Sequence, residues 1–152
     1  MNVQDEIKAL KERIAEVEEQ IKREQSFPRE DDEYWYANEN GEVFRDEWGD
    51  FGYEKSMLTI GNVFQTENEA VFAVEKLRVE AELRKFSRPF KHGAKNHTIN
   101  YNHETEMVVN VNATATYQET GSFYFDSYEE VVEAIESVGE DRIKKYIFGV
   151  EN

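Results

Sequence analysis

The sequence predicts an α+β protein in which an N-terminal amphipathic, coiled-coil helix precedes an antiparallel sheet with helices on one face. Three observations lead to this prediction. Residues 3–21 repeat apolar side chains at heptad spacing, strand-like segments punctuated by turn residues follow, and two capping boxes each open a run with helical periodicity. We therefore divide the chain into a self-associating helix (residues 1–26), a linker (27–33) and an α+β domain (34–152).

The N-terminal segment carries a heptad repeat with Ile at the a positions and Val or Leu at the d positions. In a parallel pair of such helices, Glu6 faces Lys11 of the second helix. Arg13 likewise faces Glu18, so both contacts attract. The alternative is an amphipathic helix folded onto its own domain. The candidate oligomerisation residues form an apolar seam together with Val3 at its start: Ile7, Leu10, Ile14, Val17 and Ile21.

Several strands are predicted after this helix, which ends before Pro28 because the residue preceding a proline avoids the α region. YWYANENGEVF (34–44) predicts a hairpin with Asn40-Gly41 in its turn. The glycine- and aromatic-rich residues 47–64 are predicted to be loop and strand. Further strands are predicted in HTINYN, TEMVVNVNATATY and GSFYF, which start at residues 97, 105 and 121.

Two capping boxes mark helix starts, one from Thr66 to Glu69 and one from Ser127 to Glu130. The first helix is predicted to end near Lys85 and the second before Gly139, with a short helix over residues 140–146 after it. Residues 64–77 align with residues 125–138 at an offset of 61. Two interpretations stay open. The segments 34–86 and 98–152 are duplicated β-β-(β)-α units, or two capped helices look alike because capping and periodicity demand it.

The composition limits the classes of function. A net charge of −15 disfavours binding to long nucleic acid, which depends on neutralising phosphates, but it permits a surface that imitates nucleic acid. The chain has no cysteine, so disulfides and cysteine-ligated metals are excluded. The N-terminus lacks the apolar core of a signal peptide, and no apolar run approaches 18 residues. We therefore expect a cytoplasmic protein without membrane association.

No catalytic motif is present: GxSxG, HExxH, GxGxxG and the Walker A pattern are all missing. His92, His97 and His103 do not have the spacing of a known metal site. We therefore expect a protein that is not an enzyme and uses no cofactor or metal.

One strongly basic strip, RKFSRPFKHGAKNH (84–97), has five Lys/Arg, two His and no acid. Arg84 and Lys85 suit the carboxyl end of a helix, where cations complement the helix dipole. The remaining cations suggest a loop that holds a small phosphate-containing ligand, with aromatic rings stacking on its base. The alternatives are a contact with an acidic patch of a neighbouring subunit and, for the aromatics, a plain core. The candidate ligand-binding residues are Arg84, Arg88, Phe90, Lys91, His92, Lys95, His97, Trp35 and Trp48.

Residues 28–56 are acidic, with ten Asp/Glu and three Lys/Arg interleaved with aromatics. Aromatic residues are enriched at protein interfaces, and an acidic patch can mimic a phosphate backbone. This pattern is typical of a protein-binding inhibitor of a nucleic-acid-handling protein, similar in action to anti-CRISPR proteins. A solvated acidic loop over an aromatic core explains it equally.

The run YWYANENGEVFRDEW…GNVFQTENEAVFAVEKLRVEAELRKF resembles a module of small uncharacterised proteins of phages and prophages of Gram-positive bacteria. The resemblance covers residues 34–86 and, loosely, the C-terminal GEDRIKKYIFGV. It implies an accessory protein of a mobile element, acting in the bacterial host against a defence system. From it and the basic strip we expect sequestration of a nucleotide immune signal by a homo-oligomer. The alternatives are an acidic inhibitor of a host defence protein and a structural oligomeric phage protein.

Overall fold

A computed structural model describes residues 2–151, and it gives the predicted class: α+β, with a long N-terminal helix and antiparallel sheets against which helices pack. The chain divides into two compact units, residues 1–71 and 72–152. None of the helices in the described range is long and apolar enough to cross a membrane.

The first unit begins with α1 (Val3–Gln25), followed by the hairpin of β1 (Glu33–Ala37) and β2 (Val43–Glu47). The predicted Asn40-Gly41 turn lies in a five-residue loop. Asn38 Oδ1 accepts hydrogen bonds from the amides of Asn40 and Glu42, at 3.0 and 2.9 Å. Gly41 has φ +79°, which the absence of a Cβ permits.

The hairpin leads into α2 (Gly52–Thr59), and here the prediction of loop and strand was wrong. Eight residues with little amphipathic character leave no periodic signal. The helix starts because the buried Glu54 carboxylate accepts hydrogen bonds from the amides of Gly49 and Phe51, at 2.9 and 3.0 Å. These bonds satisfy amide groups that a helix start otherwise leaves unpaired.

The capped helix α3 (Glu67–Phe86) begins in the first unit and continues into the second. Its predicted start is confirmed: Thr66 Oγ1 accepts from the Glu69 amide at 3.2 Å, and Glu69 Oε2 accepts from the Gln65 amide at 3.1 Å. The predicted end near Lys85 is also confirmed. Arg84 and Lys85 occupy the last turn, where positive charge is favourable.

The second unit is built on β3 (Asn96–Asn102), β4 (Met107–Thr114) and β5 (Tyr124–Phe125), in the antiparallel order β4-β3-β5. The predicted helices follow as α4 (Tyr128–Val138) and α5 (Glu140–Tyr146). They and the C-terminal half of α3 supply one core with β3, β4 and β5, consisting of Val79, Leu83, Ile99, Val108, Phe125, Val131, Ala134, Val138 and Ile143. Burying the fully enclosed Phe125 alone stabilises the fold by about 2–3 kcal/mol.

The two units share one local pattern of pairing. In the first, Trp35 on β1 exchanges backbone hydrogen bonds of 2.9 Å with Phe64, just before the α3 capping box. In the second, His97 on β3 pairs with Phe125, just before the α4 capping box. Each unit thus places the first strand of a hairpin between the second strand and a short third segment. The duplication of residues 34–86 and 98–152 stays a prediction, to which this correspondence adds support.

Candidate functional site

The basic strip forms the loop between α3 and β3, and Arg88 holds that loop together from inside. Its Nη1 donates to the carbonyl oxygen of Pro89 at 2.9 Å and to Asn96 Oδ1 at 2.6 Å, and its Nη2 donates to the carbonyl oxygen of Lys95 at 3.1 Å. Its Nε donates to Asp126 Oδ1. Four of the five guanidinium N–H groups are therefore used within the chain, and the side chain is only 13% exposed.

Asp126 balances the charge of Arg88. The hydrogen bond from Arg88, and then the positive charges of Arg88 and Lys91, outweigh partial desolvation and lower the pKa of the Asp126 carboxyl. Any anion that used Arg88 as a ligand would have to displace this carboxylate and break the loop bonds. Arg88 is thus placed as a structural residue of the loop rather than as a free donor.

Asn96 is the second residue that fixes the loop, and it is fully buried. Its Nδ2 donates to the carbonyl oxygens of Lys91, Ala94 and Thr114, at 2.9, 3.0 and 2.8 Å. Its Oδ1 accepts from the Lys91 amide at 3.0 Å, in addition to Arg88. The sequence offers no signal for this role, because an asparagine in a polar loop is common.

The other basic side chains of the strip reach solvent. Lys91, His92 and Lys95 are exposed, and none has an ion-pair or side-chain hydrogen-bond partner within the described range. Arg84 is also exposed and lies 4.0 Å from Glu80. The structure therefore brings three exposed basic side chains together on one fixed loop.

A shallow open groove of about 310 Å³ lies beside this loop, lined by Arg84, Ser87, Arg88, Pro89, Ser122 and Phe123. Phe90 does not offer its ring there, since it packs edge-on against the buried Tyr124 with ring centroids 5.2 Å apart. The groove adjoins the carboxyl end of α3, whose partial negative charge disfavours an anion.

His97 lies on β3 and is half-buried. Its Nδ1 is enclosed and has no hydrogen-bond partner in the described part of the chain. Among the described residues, no group of three or more His, Asp or Glu side chains is arranged to hold a metal ion, and His97 belongs to no such group.

The two tryptophans among the candidate ligand-binding residues belong to the first unit, whereas the basic loop belongs to the second. The Trp48 indole is 4% exposed and packs edge-on against Tyr34 at 5.6 Å. Trp35 is half-buried, and the Arg45 guanidinium lies 5.9 Å from its ring centroid. Trp48 therefore belongs to the aromatic core, which was the alternative interpretation of the aromatic residues. Its ring is not accessible to a ligand.

A second candidate surface lies on the first unit, where aromatic rings continue from the core to solvent. On one face of the hairpin, the Tyr36 ring contacts Tyr34 at 5.8 Å and Phe44 at 5.9 Å. Phe51 and Tyr53, which flank the start of α2, stack with centroids 5.8 Å apart and an interplanar angle of 7°. Phe44, Phe51 and Tyr53 are all exposed.

Acidic side chains accompany these exposed rings. Asp46 lies opposite Tyr34 in the hairpin register, on the face that carries Tyr36 and Phe44. Desolvation, followed by the negative charges of Glu54 and Asp46, raises the pKa of Tyr53. We call the set Tyr36, Phe44, Asp46, Phe51 and Tyr53 the acidic aromatic surface.

Beneath this surface, the Tyr34 hydroxyl and Glu54 are buried side by side. Burial, and then interaction with the Glu54 carboxylate, raise the pKa of Tyr34. Burial alone would raise the pKa of Glu54, but hydrogen bonds from the Phe51 and Gly49 amides, together with the neighbouring Tyr34 hydroxyl, outweigh it and lower that pKa. The Tyr34–Glu54 contact lacks ordinary hydrogen-bond geometry, since the hydroxyl and Glu54 Oε2 remain without a well-aligned partner among the described residues.

The fold and these two surfaces define an α+β protein with a fixed basic loop on one unit and an acidic aromatic surface on the other. Comparisons with protein-family models, curated proteins and solved structures find no match for this chain.

Proposed function

We propose that this protein is a non-enzymatic accessory protein of a phage or prophage that counters host defence by binding a basic, nucleic-acid-handling host protein. The acidic aromatic surface is the proposed binding site. This corresponds to the acidic-inhibitor alternative of the sequence analysis, and it fits the described geometry better than nucleotide sequestration does.

The observation that carries the proposal is the exposed Phe51–Tyr53 stack on the same unit as the exposed Asp46. Large aromatic rings at the surface provide contact area at low entropic cost, and interfaces are enriched in them. Asp46 has no ion-pair partner among the described residues, so its charge is available to a cation. An arginine-rich surface suits both features, because a guanidinium stacks on aromatic rings and pairs with carboxylates.

Capture from a lysate of the bacterial host tests this proposal. The wild-type protein should retain one stoichiometric basic protein, and retention should fall with rising salt. Phe51→Ala combined with Tyr53→Ala should abolish retention, and Asp46→Asn should weaken it. Tyr117→Ala removes an even more exposed aromatic side chain from the second unit and is the matched control. The proposal fails if the double variant retains the same protein as the wild type does.

Nucleotide sequestration remains the second candidate function, supported by Lys91, His92 and Lys95 on their fixed loop. Titration calorimetry with nucleotide second messengers is the test. Lys91→Ala and Lys95→Ala are the informative variants, since both side chains are exposed and make no internal hydrogen bond within the described range. Arg88→Ala is a poor probe because it also removes the loop's internal bonds. Absence of heat with every nucleotide would eliminate this candidate.

A further inference from the structure

The helix α1 is well formed at both ends without help from the rest of the chain. Asn2 Oδ1 accepts from the Asp5 amide at 2.9 Å, which caps the amino end. Asp5 and Glu6 lie in the first turn and Lys22 and Arg23 in the last, so charges complement the helix dipole at each end.

The apolar seam of α1 is nevertheless uncovered. All six of its side chains remain between 40% and 69% exposed, on a 23-residue helix whose described side chains are all exposed. The amphipathic helix folded onto its own domain, which was the alternative interpretation, is not the arrangement that the described residues adopt. Most of the stability of helices in proteins comes from packing of an amphipathic face, so a seam of this size needs a covering surface.

We propose that the seam is covered by α1 of a second copy of this chain, and that the two helices lie parallel. The seam repeats every 3.5 residues on average, the period at which two helices stay in contact by supercoiling. Ile at the a positions with Leu at a d position favours two strands over three or four. This inference does not depend on the partner proposed above.

The flanking charges select the parallel orientation. In parallel helices, Glu6 meets Lys11 of the second copy, and Arg13 meets Glu18, so every charged pair beside the seam attracts. An antiparallel pair that buries the same seam brings Lys11 against Lys11 and Arg13 against Arg13. Arg13 also forms an ion pair with Glu16 in the same helix, 3.3 Å apart at closest approach. This pair competes little, because both side chains are largely exposed and exposed ion pairs contribute little free energy.

A cysteine cross-linking experiment on the full chain tests the orientation, and the natural absence of cysteine makes it clean. Val3→Cys places a thiol at one end of the seam. In parallel helices the two thiols are adjacent and should form an intersubunit disulfide under mild oxidation. In antiparallel helices each lies opposite residue 21, about 27 Å from the other thiol. Glu12→Cys, on the outer side of the helix, is the control that should not cross-link.

A charge reversal tests the contacts by sedimentation equilibrium over a concentration series. Glu6→Lys should raise the dimer dissociation constant roughly tenfold, because it turns two attractive contacts per dimer into repulsive ones. Glu12→Lys makes the same charge change away from the seam and should have no effect. Adding Lys11→Glu to Glu6→Lys should restore the dimer.

Three results would overturn the proposal. They are a wild-type protein that stays monomeric at every concentration, a dimer whose Val3→Cys thiols do not cross-link, and equal effects of Glu6→Lys and Glu12→Lys. Circular dichroism of each variant establishes that α1 is still helical, so that a lost dimer is not confused with a lost helix.

Discussion

Arg88 Nη1 donates a 2.6 Å hydrogen bond to Asn96 Oδ1, and this contact joins the two ends of the basic loop. Arg88 also binds Asp126, so its charge is neutralised within the chain. The loop is therefore fixed before any ligand arrives. Its remaining exposed basic side chains, Lys91, His92 and Lys95, project from this rigid base.

Replacing Asn96 by aspartate should destabilise the protein by about 2–3 kcal/mol. The new carboxylate oxygen would face the three carbonyl oxygens of Lys91, Ala94 and Thr114, which now accept hydrogen bonds from Nδ2. Urea denaturation followed by circular dichroism measures the change. Asn102→Asp is the control: its exposed side chain only accepts hydrogen bonds from backbone amides, so a carboxylate can replace it at little cost. Equal losses at the two positions would contradict this account of Asn96.

The Glu82–Arg142 ion pair should make stability depend on pH. The two side chains form a bidentate contact of 2.6 and 2.9 Å. The hydrogen bond from Arg142 outweighs desolvation and lowers the pKa of Glu82. A carboxyl whose pKa is depressed in the folded state contributes stability above its unfolded pKa, and that contribution is lost as pH falls through the folded value.

Glu82→Gln should therefore cost about 1 kcal/mol at pH 7, because the side chains are 37–38% exposed and solvent screens the pair. The difference from wild type should shrink as pH falls below the usual glutamate range and disappear below the depressed pKa of Glu82, where the wild-type carboxylate is also protonated. Denaturation curves across this pH range measure both effects. Glu136→Gln, at an exposed position of α4 without an ion pair in the described range, should show neither. A constant difference at all pH values would rule out the ion pair as its cause.

The α4 capping box should contribute about 1 kcal/mol to the free energy of unfolding. Ser127 Oγ accepts from the Glu130 amide at 3.2 Å, and Glu130 Oε2 accepts from the Asp126 amide at 3.0 Å. Ser127→Ala leaves the Glu130 amide without its acceptor, and thermal denaturation should show the loss. Ser137→Ala, near the other end of the same helix, should be neutral or slightly stabilising because alanine is the better helix former. A cap that contributed nothing would give the two variants the same midpoint.

Gly139→Ala should destabilise the protein. The backbone of Gly139 has φ +101° and ψ 122°, a region that residues with a Cβ rarely adopt. A Cβ there would meet only Arg142 at 3.7 Å, an ordinary contact, so the cost is backbone strain of about 1–3 kcal/mol. Gly52→Ala is the matched control, since Gly52 starts α2 in open space without positive φ and should gain slightly from alanine. Denaturation midpoints should move in opposite directions for the two variants.

The sequence predicted the elements whose causes are local. The heptad spacing predicted α1, and Thr66 with Glu69 and Ser127 with Glu130 predicted the starts of α3 and α4. In each case the stabilising partners lie within four residues along the chain, so the element can be recognised from the sequence without knowledge of the fold. The same reasoning missed α2 although its cap is local too, because its eight residues lack amphipathic periodicity and its N-cap is Phe51 rather than Ser, Thr, Asp or Asn.

Tertiary structure alone decided which charges and rings are free. In the sequence, Arg88 and Lys91 look like equivalent cations of one strip, and Trp48 and Tyr53 look like equivalent surface aromatics. The fold brings Asp126, 38 positions away, to Arg88 and encloses Trp48 against Tyr34, while Lys91 and Tyr53 stay exposed. A side chain's availability to a ligand depends on contacts between distant segments. Periodicity and capping record only contacts between near neighbours.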